Sequence, residues 1–324
     1  MPQLRQDVVT GSWVVIAPER AKRPSDFHSA SIQNDSQPSP FLVGGDAWKG
    51  RIKEADTTNT FTIQNLYPAF VCDEAQCETR SYFPEGSLFR AKPAVGDHEV
   101  IVIKDPTLNI FHFTEAIWHD LFASFQMRML TMSRQTEVIH AMPIYNHGTE
   151  AGASIGHPHA QLFGTPIIPN RIQHELNGSE TYFSNNGTNV FDDLIEHELR
   201  VKARVITSNA DFIAITAYAA RFPFEMWIIP LSQGAHFHRL TNRQRTNLAK
   251  IMKDVVGRLG RTLKNPSFNL WIHSSPTTYD EVRHYRWHIE IAPRVVGYGG
   301  FELGADTIID IMSPEVAAEH LRQN

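Results

Sequence analysis

The same succession of elements is written into this chain twice. In the first copy HEVIVIKD (His98 to Asp105) is a short β-branched strand, and Thr114 to Gln135 places Ile117, Leu121 and Phe125 four apart, as an amphipathic helix requires. AMPIYNHG and HPHAQLFG follow as two strands joined by a glycine-rich turn. In the second copy FEMWIIP (Phe224 to Pro230) is the first strand. Its helix has a capping-box start at Thr241 and Gln244 and an apolar stripe of Leu248, Met252, Val255 and Leu259. FNLWIHSSP and YRWHIEIAP complete that copy as two more strands. Each copy ends on a strand with alternating polar side chains, His157/His159/Gln161 in one and His288/Glu290 in the other. Two copies at so long a period mean a duplication and not a solenoid. The expected fold class is α+β: two similar halves, 1–195 and 196–324, each an antiparallel sheet with packed helices. The polar stretches Ser29 to Thr60 and Asn177 to Asn189 read as loops, the second as part of the joint between halves. Ser313, Pro314 and Glu315 signal the start of a C-terminal helix.

Composition narrows what such a chain could serve. Its 324 residues are 42% hydrophobic and 20% charged, an ordinary globular balance, and the net charge of -5 offers no footprint for nucleic acid or an anionic membrane. Basic pockets for a small phosphate ligand stay open. Cys72 and Cys77 are too few for a disulfide scaffold, and MPQLRQDVV lacks the apolar core of a signal peptide, which predicts a cytoplasmic protein. The most apolar long stretch, Phe212 to Pro230, is broken by Arg221, Pro223 and Glu225, so it reads as buried strands and not as a membrane span.

The densest chemistry lies between Asn146 and Pro169. Residues two apart in a strand share a face, so His157, His159 and Gln161 project together beside Gly148, Gly152 and Gly156. A structural polar ladder is the plain alternative. Glycine-rich turns bring backbone N–H groups close to phosphate oxygens, and Ala153, Ser154 and Ala160 keep space open. Neutral imidazole can attack phosphorus and pass the group on, provided one ring nitrogen is held and the other is free. Gln161 adds an amide donor for a non-bridging oxygen. A zinc pair is the competing reading, with no further Cys or His close in sequence.

HPHAQ in a duplicated chain resembles the galactose-1-phosphate uridylyltransferase branch of the histidine-triad superfamily. The likeness extends to DVVTGSWVVIAPERAKRPSDF, IQNLYPAF and the C-terminal RWHIEIAPRVVGYGGFELGADTIIDIMSPEVAAEHLR. It implies tandem histidine-triad-like repeats and a two-step nucleotidyl transfer. His159 would be the nucleophile and Gln161 the residue holding the transferred phosphoryl group. Asn146, Gly152 and Ser154 would contact phosphates and ribose, Asn65 the nucleoside, Arg20 and Arg23 the phosphates, and Phe301 and Glu302 the acceptor end. The implied partners are a nucleotide donor such as a UDP-sugar, a phosphate-bearing acceptor, and a second copy of the chain in a homodimer.

Three departures from the family pattern matter. Ser39, Leu42 and Leu108 stand where relatives carry zinc ligands, and only His157 remains of that set, so this site is expected to hold no metal. Cys72 and Cys77 make a poor replacement pattern. At a second metal position the matching residues are Glu175, His273, His288 and Glu290, suited to zinc or iron, with a hydrogen-bonded polar cluster as the favoured alternative. No cofactor is expected for the chemistry itself. Ile308 replaces a sugar-binding glutamine, which weakens a sugar 1-phosphate acceptor and raises the alternative of adenylyl transfer from adenylylsulfate or ADP-glucose to inorganic phosphate, releasing ADP. Two other classes are disfavoured. A regulator without catalysis would not need both His159 and Gln161, and a hydrolase would carry a third histidine where Gln161 stands.

Overall fold

The computed structural model describes residues 2–22, 39–71, 88, 94–280 and 282–324, so the sequence-derived expectations for Arg23, Cys72 and Cys77 lie outside the described residues. In chain order come β1 (Gln3–Gln6), β2 (Trp13–Ile16), α1 (Asp46–Lys49), β3 (Thr60–Gln64), β4 (Asp97–Ile103), α2 (Glu115–Met132), β5 (His140–His147) and β6 (His159–Thr165). They are followed by α3 (Asn170–Asn186), α4 (Val190–Val201), β7 (Val205–Ser208), β8 (Phe212–Thr216), β9 (Met226–Pro230), α5 (Asn242–Leu263), β10 (Phe268–His273) and β11 (His288–Pro293). The last elements are α6 (Gly300–Ala305), β12 (Ile309–Asp310) and α7 (Pro314–Gln323).

Nine strands form one sheet in the order β3-β4-β6-β5-β10-β11-β9-β8-β7, and every neighbouring pair is antiparallel. The duplication is visible in its register. Val100 faces Gln161 in one half and Trp227 faces Glu290 in the other, while Ile144 and Trp271 face each other where β5 meets β10. The interval from Thr114 to Thr241, the caps of α2 and α5, equals that from Val100 to Trp227 and from Ile144 to Trp271. The two halves therefore match element for element about an axis between β5 and β10. A second sheet, β1-β2-β12, ties the N-terminal hairpin to the C-terminal segment.

Alternation along the strands gives the large sheet two different faces. One packs Ile101, Ala160, Leu162, Leu270, Ile289 and Ile291 against α2 and α5 in the main apolar core. Both helices start as the sequence signals: Thr114 accepts from the Ile117 N–H, and Thr241 and Gln244 complete a capping box. On the opposite face, Ile172, Leu176, Phe191 and Ile195 of α3 and α4 cover Ile213, Ile215, Trp227 and Ile229. At the other end Phe41, with Trp48 and Ile155, covers Phe61, Ile63, Val100 and Val102. Between these two lids the central strands β6, β5 and β10 present His159, Gln161, Asn146 and Asn269.

One expected loop is a helix. Asn177 to Asn186 belongs to α3, and only Gly187, with φ 74°, makes the turn that ends it. The Asn, Ser and Gly residues there are poor helix formers. Burial overrides them, because Ile172, Glu175, Leu176 and Ser179 recur at helical spacing and all face the sheet. Gly178 permits the N-terminal hairpin to lie on this helix, since a Cβ there would come within 1.9 Å of the Val9 carbonyl oxygen. Residue 195, the expected boundary between halves, falls inside α4, and the sheet runs unbroken across the axis.

Candidate active site

The turn between β5 and β6 fixes the approach to the groove. Gly148 and Gly152 take φ of 83° and 81°, which only glycine adopts without strain. A Cβ on Gly148 would sit 2.0 Å from Ser267 Oγ. The second half of the chain clasps this turn. Ser267 Oγ donates to Glu150 Oε2 at 2.5 Å, and Asn269 Nδ2 donates to Asn146 Oδ1 and to the Ala151 carbonyl, both at 2.8 Å.

The two histidines of HPHAQ separate in role. His157 is buried, and its Nε2 lies 2.6 Å from the Ile103 carbonyl oxygen, which can only accept; Nδ1 therefore accepts from Ser39 Oγ at 2.7 Å. Ser39 Oγ in turn accepts from the Phe41 N–H at 3.1 Å. Both nitrogens of His157 are thus engaged without a metal. His159 is half-buried, and its Nδ1 donates to the His157 carbonyl at 2.8 Å, which leaves the Nε2 lone pair free. Burial lowers its pKa below the ordinary 6.5, only partly offset by that carbonyl bond, so the ring is mostly neutral near pH 7. Phe41 packs against both rings.

Gln161, two residues on, shares the face of His159. Its Oε1 lies 2.9 Å from His98 Nε2, and Asn65 joins the same group through its Nδ2, 3.1 Å from that nitrogen. The structure thus brings Asn65, Asn146, His159 and Gln161 onto one face of the central strands, with Gly152 and Ser154 exposed in the turn beside them. Arg20 is exposed on the 3-10 turn Pro18–Lys22 after β2. Phe301 and Glu302 lie on α6, where Phe301 is 55% exposed and Glu302 caps its own helix through the Gly299 N–H. Leu42 is exposed and Leu108 packs at the edge of the main core.

A second polar group lies on the same face of the sheet under α3. One ligand-capable atom from each of Glu175, His273, His288 and Glu290 lies within 4.8 Å of the others, and all four residues are buried. His288 is held as His159 is: its Nδ1 donates to the carbonyl of the residue two before it, Arg286, at 3.1 Å. Glu175 accepts from Arg171, His273 and the Tyr285 hydroxyl, and Glu290 accepts from Arg221 and the Trp271 indole, both at 2.5 Å. Burial alone would raise both carboxyls, but the surrounding cations hold Glu175 down at about 2 and Glu290 well below the carboxylate range. Among the described residues His288 Nε2 and Glu290 Oε1 make no hydrogen bond, and they lie 3.7 Å apart. Two orphaned buried atoms pointing into one four-donor centre fit a divalent cation.

Sequence reasoning did not find His98, Asn269, Arg171 or Arg221. Arg171 lies one helical turn before Glu175, a local spacing, but the parts of the other three depend on which strands pair and which segments cover the sheet.

This fold and site define a nucleotidyltransferase of the histidine-triad type, duplicated within one chain. Residues 1–169 match the family described as galactose-1-phosphate uridyl transferase, N-terminal domain, and residues 175–323 match its C-terminal domain. The chain belongs to the galactose-1-phosphate uridyl transferase family. It is 31% identical over 334 residues to ADP-glucose phosphorylase of Arabidopsis thaliana, covering 99% of this chain and 93% of that protein. It is 24% identical to galactose-1-phosphate uridylyltransferase of Haemophilus influenzae, covering 99% and 94%. The crystal structure of the Arabidopsis ADP-glucose phosphorylase with bound ADP-glucose matches with a TM-score of 0.85 and 27% identity, over 100% of this chain and 99% of that one. Among the described residues no helix is long and apolar enough to cross a membrane.

Proposed function

We propose that this enzyme moves a nucleoside monophosphate from a nucleoside diphosphate sugar to a phosphate-bearing acceptor through a covalent bond to His159 Nε2. The His159 Nδ1 bond to the His157 carbonyl carries this reading, because it fixes the tautomer that leaves Nε2 as the nucleophile. The Nε2 lone pair attacks the α-phosphorus, and the bond from that phosphorus to the bridging oxygen breaks. Sugar 1-phosphate leaves with the electron pair. The same carbonyl stabilises the positive charge that the ring acquires. An oxygen of the incoming acceptor phosphate then attacks the α-phosphorus, and His159 departs as neutral imidazole. Asn146, Gly152, Ser154 and Gln161 are assigned to the phosphates, Asn65 to the nucleoside, and Arg20 and Arg23 to the basic rim.

A sugar 1-phosphate acceptor is the reading that the HPHAQ pattern supports. Inorganic phosphate is favoured by one further observation: Ile308, at the position of the sugar-binding glutamine, packs with Val14, Ile16 and Ala219 and offers no amide to a hydroxyl. The likeness to ADP-glucose phosphorylase points the same way. We assign no metal to the site around His157, and a structural zinc or iron to Glu175, His273, His288 and Glu290, where it would bind β10, β11 and α3 together. We also propose a cytoplasmic location and a homodimer, and the exposed α6 with Phe301 and Glu302 supports a contact between this helix and the second copy.

The test is labelling without acceptor. Incubation with UDP-glucose or ADP-glucose carrying label at the α-phosphorus should leave acid-labile label on the wild type and none on His159→Ala. Label retained in His159→Ala would overturn the covalent mechanism. Adding phosphate or galactose 1-phosphate to the labelled enzyme then identifies the acceptor by which one discharges it.

A further inference from the structure

Two site amides could each face the transferred phosphoryl group with either an oxygen or an NH2, and only the NH2 attracts a non-bridging oxygen. Independent bonds decide both. The Ala69 N–H donates to His98 Nδ1 at 3.1 Å, so the proton of the neutral His98 ring must be on Nε2. Burial keeps that ring neutral by lowering its pKa. Asn65 cannot take the Nε2 proton, because its Oδ1 faces the Tyr67 N–H at 2.9 Å and the atom it turns to His98 is its Nδ2, itself a donor. The acceptor left is Gln161 Oε1, 2.9 Å away. Gln161 Oε1 is thereby tied back to β4. On the other side of the groove, Asn269 Nδ2 reaches the Ala151 carbonyl, which can only accept, so this atom is an NH2 and not an oxygen. Its second hydrogen goes to Asn146 Oδ1, which is tied back to β10.

We infer that His98 and Asn269 are positioning residues that lock Gln161 and Asn146 with their NH2 groups toward the reacting phosphate. Neither needs to touch substrate. Asn269 is supplied by the second half of the chain, so the half without the nucleophile sets the polarity of the site. This inference rests on nucleotidyl transfer through His159, and the variants separate the two. Loss of one preorganised donor costs roughly 10²–10³ in rate, and an amide free to turn keeps part of it.

The experiment measures single-turnover labelling with α-phosphorus-labelled ADP-glucose or UDP-glucose, whichever labels the wild type. His98→Leu and the isosteric Asn269→Asp should each slow labelling about 10-fold, with donor KM changed less than kcat. His98→Gln, whose amide can still donate to Gln161, should recover most of the loss. In a Gln161→Ala background, His98→Leu should have no further effect. If the wild type is not labelled, the covalent reading falls and this one with it. If the wild type is labelled but His98→Leu is as fast, or slows the Gln161→Ala enzyme by the same factor, the positioning role is wrong. Circular dichroism and a melting curve on Asn269→Asp identify a loss due to misfolding, and a normal melt with normal labelling rejects the role of Asn269.

Discussion

At the scale of single residues, the site is a set of rings and amides whose hydrogen positions are fixed by groups that can only accept or only donate. His159 shows the consequence for pH. Because burial holds its folded pKa below 6.5, more than half of the rings are neutral at pH 6.5. The rate constant for nucleotidyl-enzyme formation should therefore fall on acidification along a limb centred below pH 6.5. A rapid-quench pH series reads this directly, and an acid limb centred above 6.5 would contradict the burial argument. Ser39 makes a second test. Ser39→Ala leaves the buried His157 Nδ1 without its donor, which should lower unfolding free energy by about 1–2 kcal/mol in denaturant melts. The HPHAQ strand and the face shared by His159 and Gln161 were legible in sequence because period-two alternation is local. What His98 and Asn269 do was not, since each acts on a residue from another strand.

At the scale of elements, α2 and α5 start where Thr114 and Thr241 signal their caps, and α7 starts at the Pro314 that follows Ser313. The miss at α3 has the opposite origin: its composition argues for a loop, and only the sheet beneath it and the hairpin above make a helix worthwhile. The strand order was equally hidden, because nothing in β5 or β10 says that these two strands pair across the halves. The terminal elements carry a charge network that can be tested. Glu315 at the start of α7 accepts from Arg5 of β1, Arg204 and Ser313. Burial opposes its charge, but these donors hold its carboxyl at about 2, below the unfolded value of 4.5. A depressed carboxyl stabilises the fold above its unfolded pKa, and that contribution is lost as pH falls from about 4.5 to about 2. Glu315→Gln should cost about 1 kcal/mol at pH 7, allowing for solvent screening of this partly exposed group. The difference between variant and wild type should shrink through that acid window; a constant difference would assign the loss to packing alone.

At the scale of the whole molecule, duplication has produced two halves that match in register and differ in what covers their shared face. His159 and His288 sit at matching places and are gripped in the same way, by the carbonyl two residues before. The first is half-buried and packs against Phe41. Beyond the second the sheet is closed by α3, which brings Glu175 against His273 and Tyr285. The sequence marked these four residues as a candidate centre; Arg171 reaches Glu175 from one turn earlier on α3, while Arg221 comes to Glu290 from a segment that only the tertiary fold places there. Two charged carboxylates, two arginines and two orphaned atoms make removal of one member costly. Glu290→Gln leaves Arg221 with Glu225 as its remaining carboxylate partner and should destabilise the protein by about 1–3 kcal/mol. The cation itself is tested by metal analysis of the purified chain. About one zinc or iron per protein is expected, retained in Ser39→Ala and His159→Ala and lost in His288→Ala. Chelation of the wild type should lower the melting temperature by several degrees and leave that of His288→Ala unmoved. Metal that survives His288→Ala, or a wild type that melts at the same temperature with and without chelator, would make this centre a hydrogen-bonded salt cluster and confine its role to holding α3 over β10 and β11.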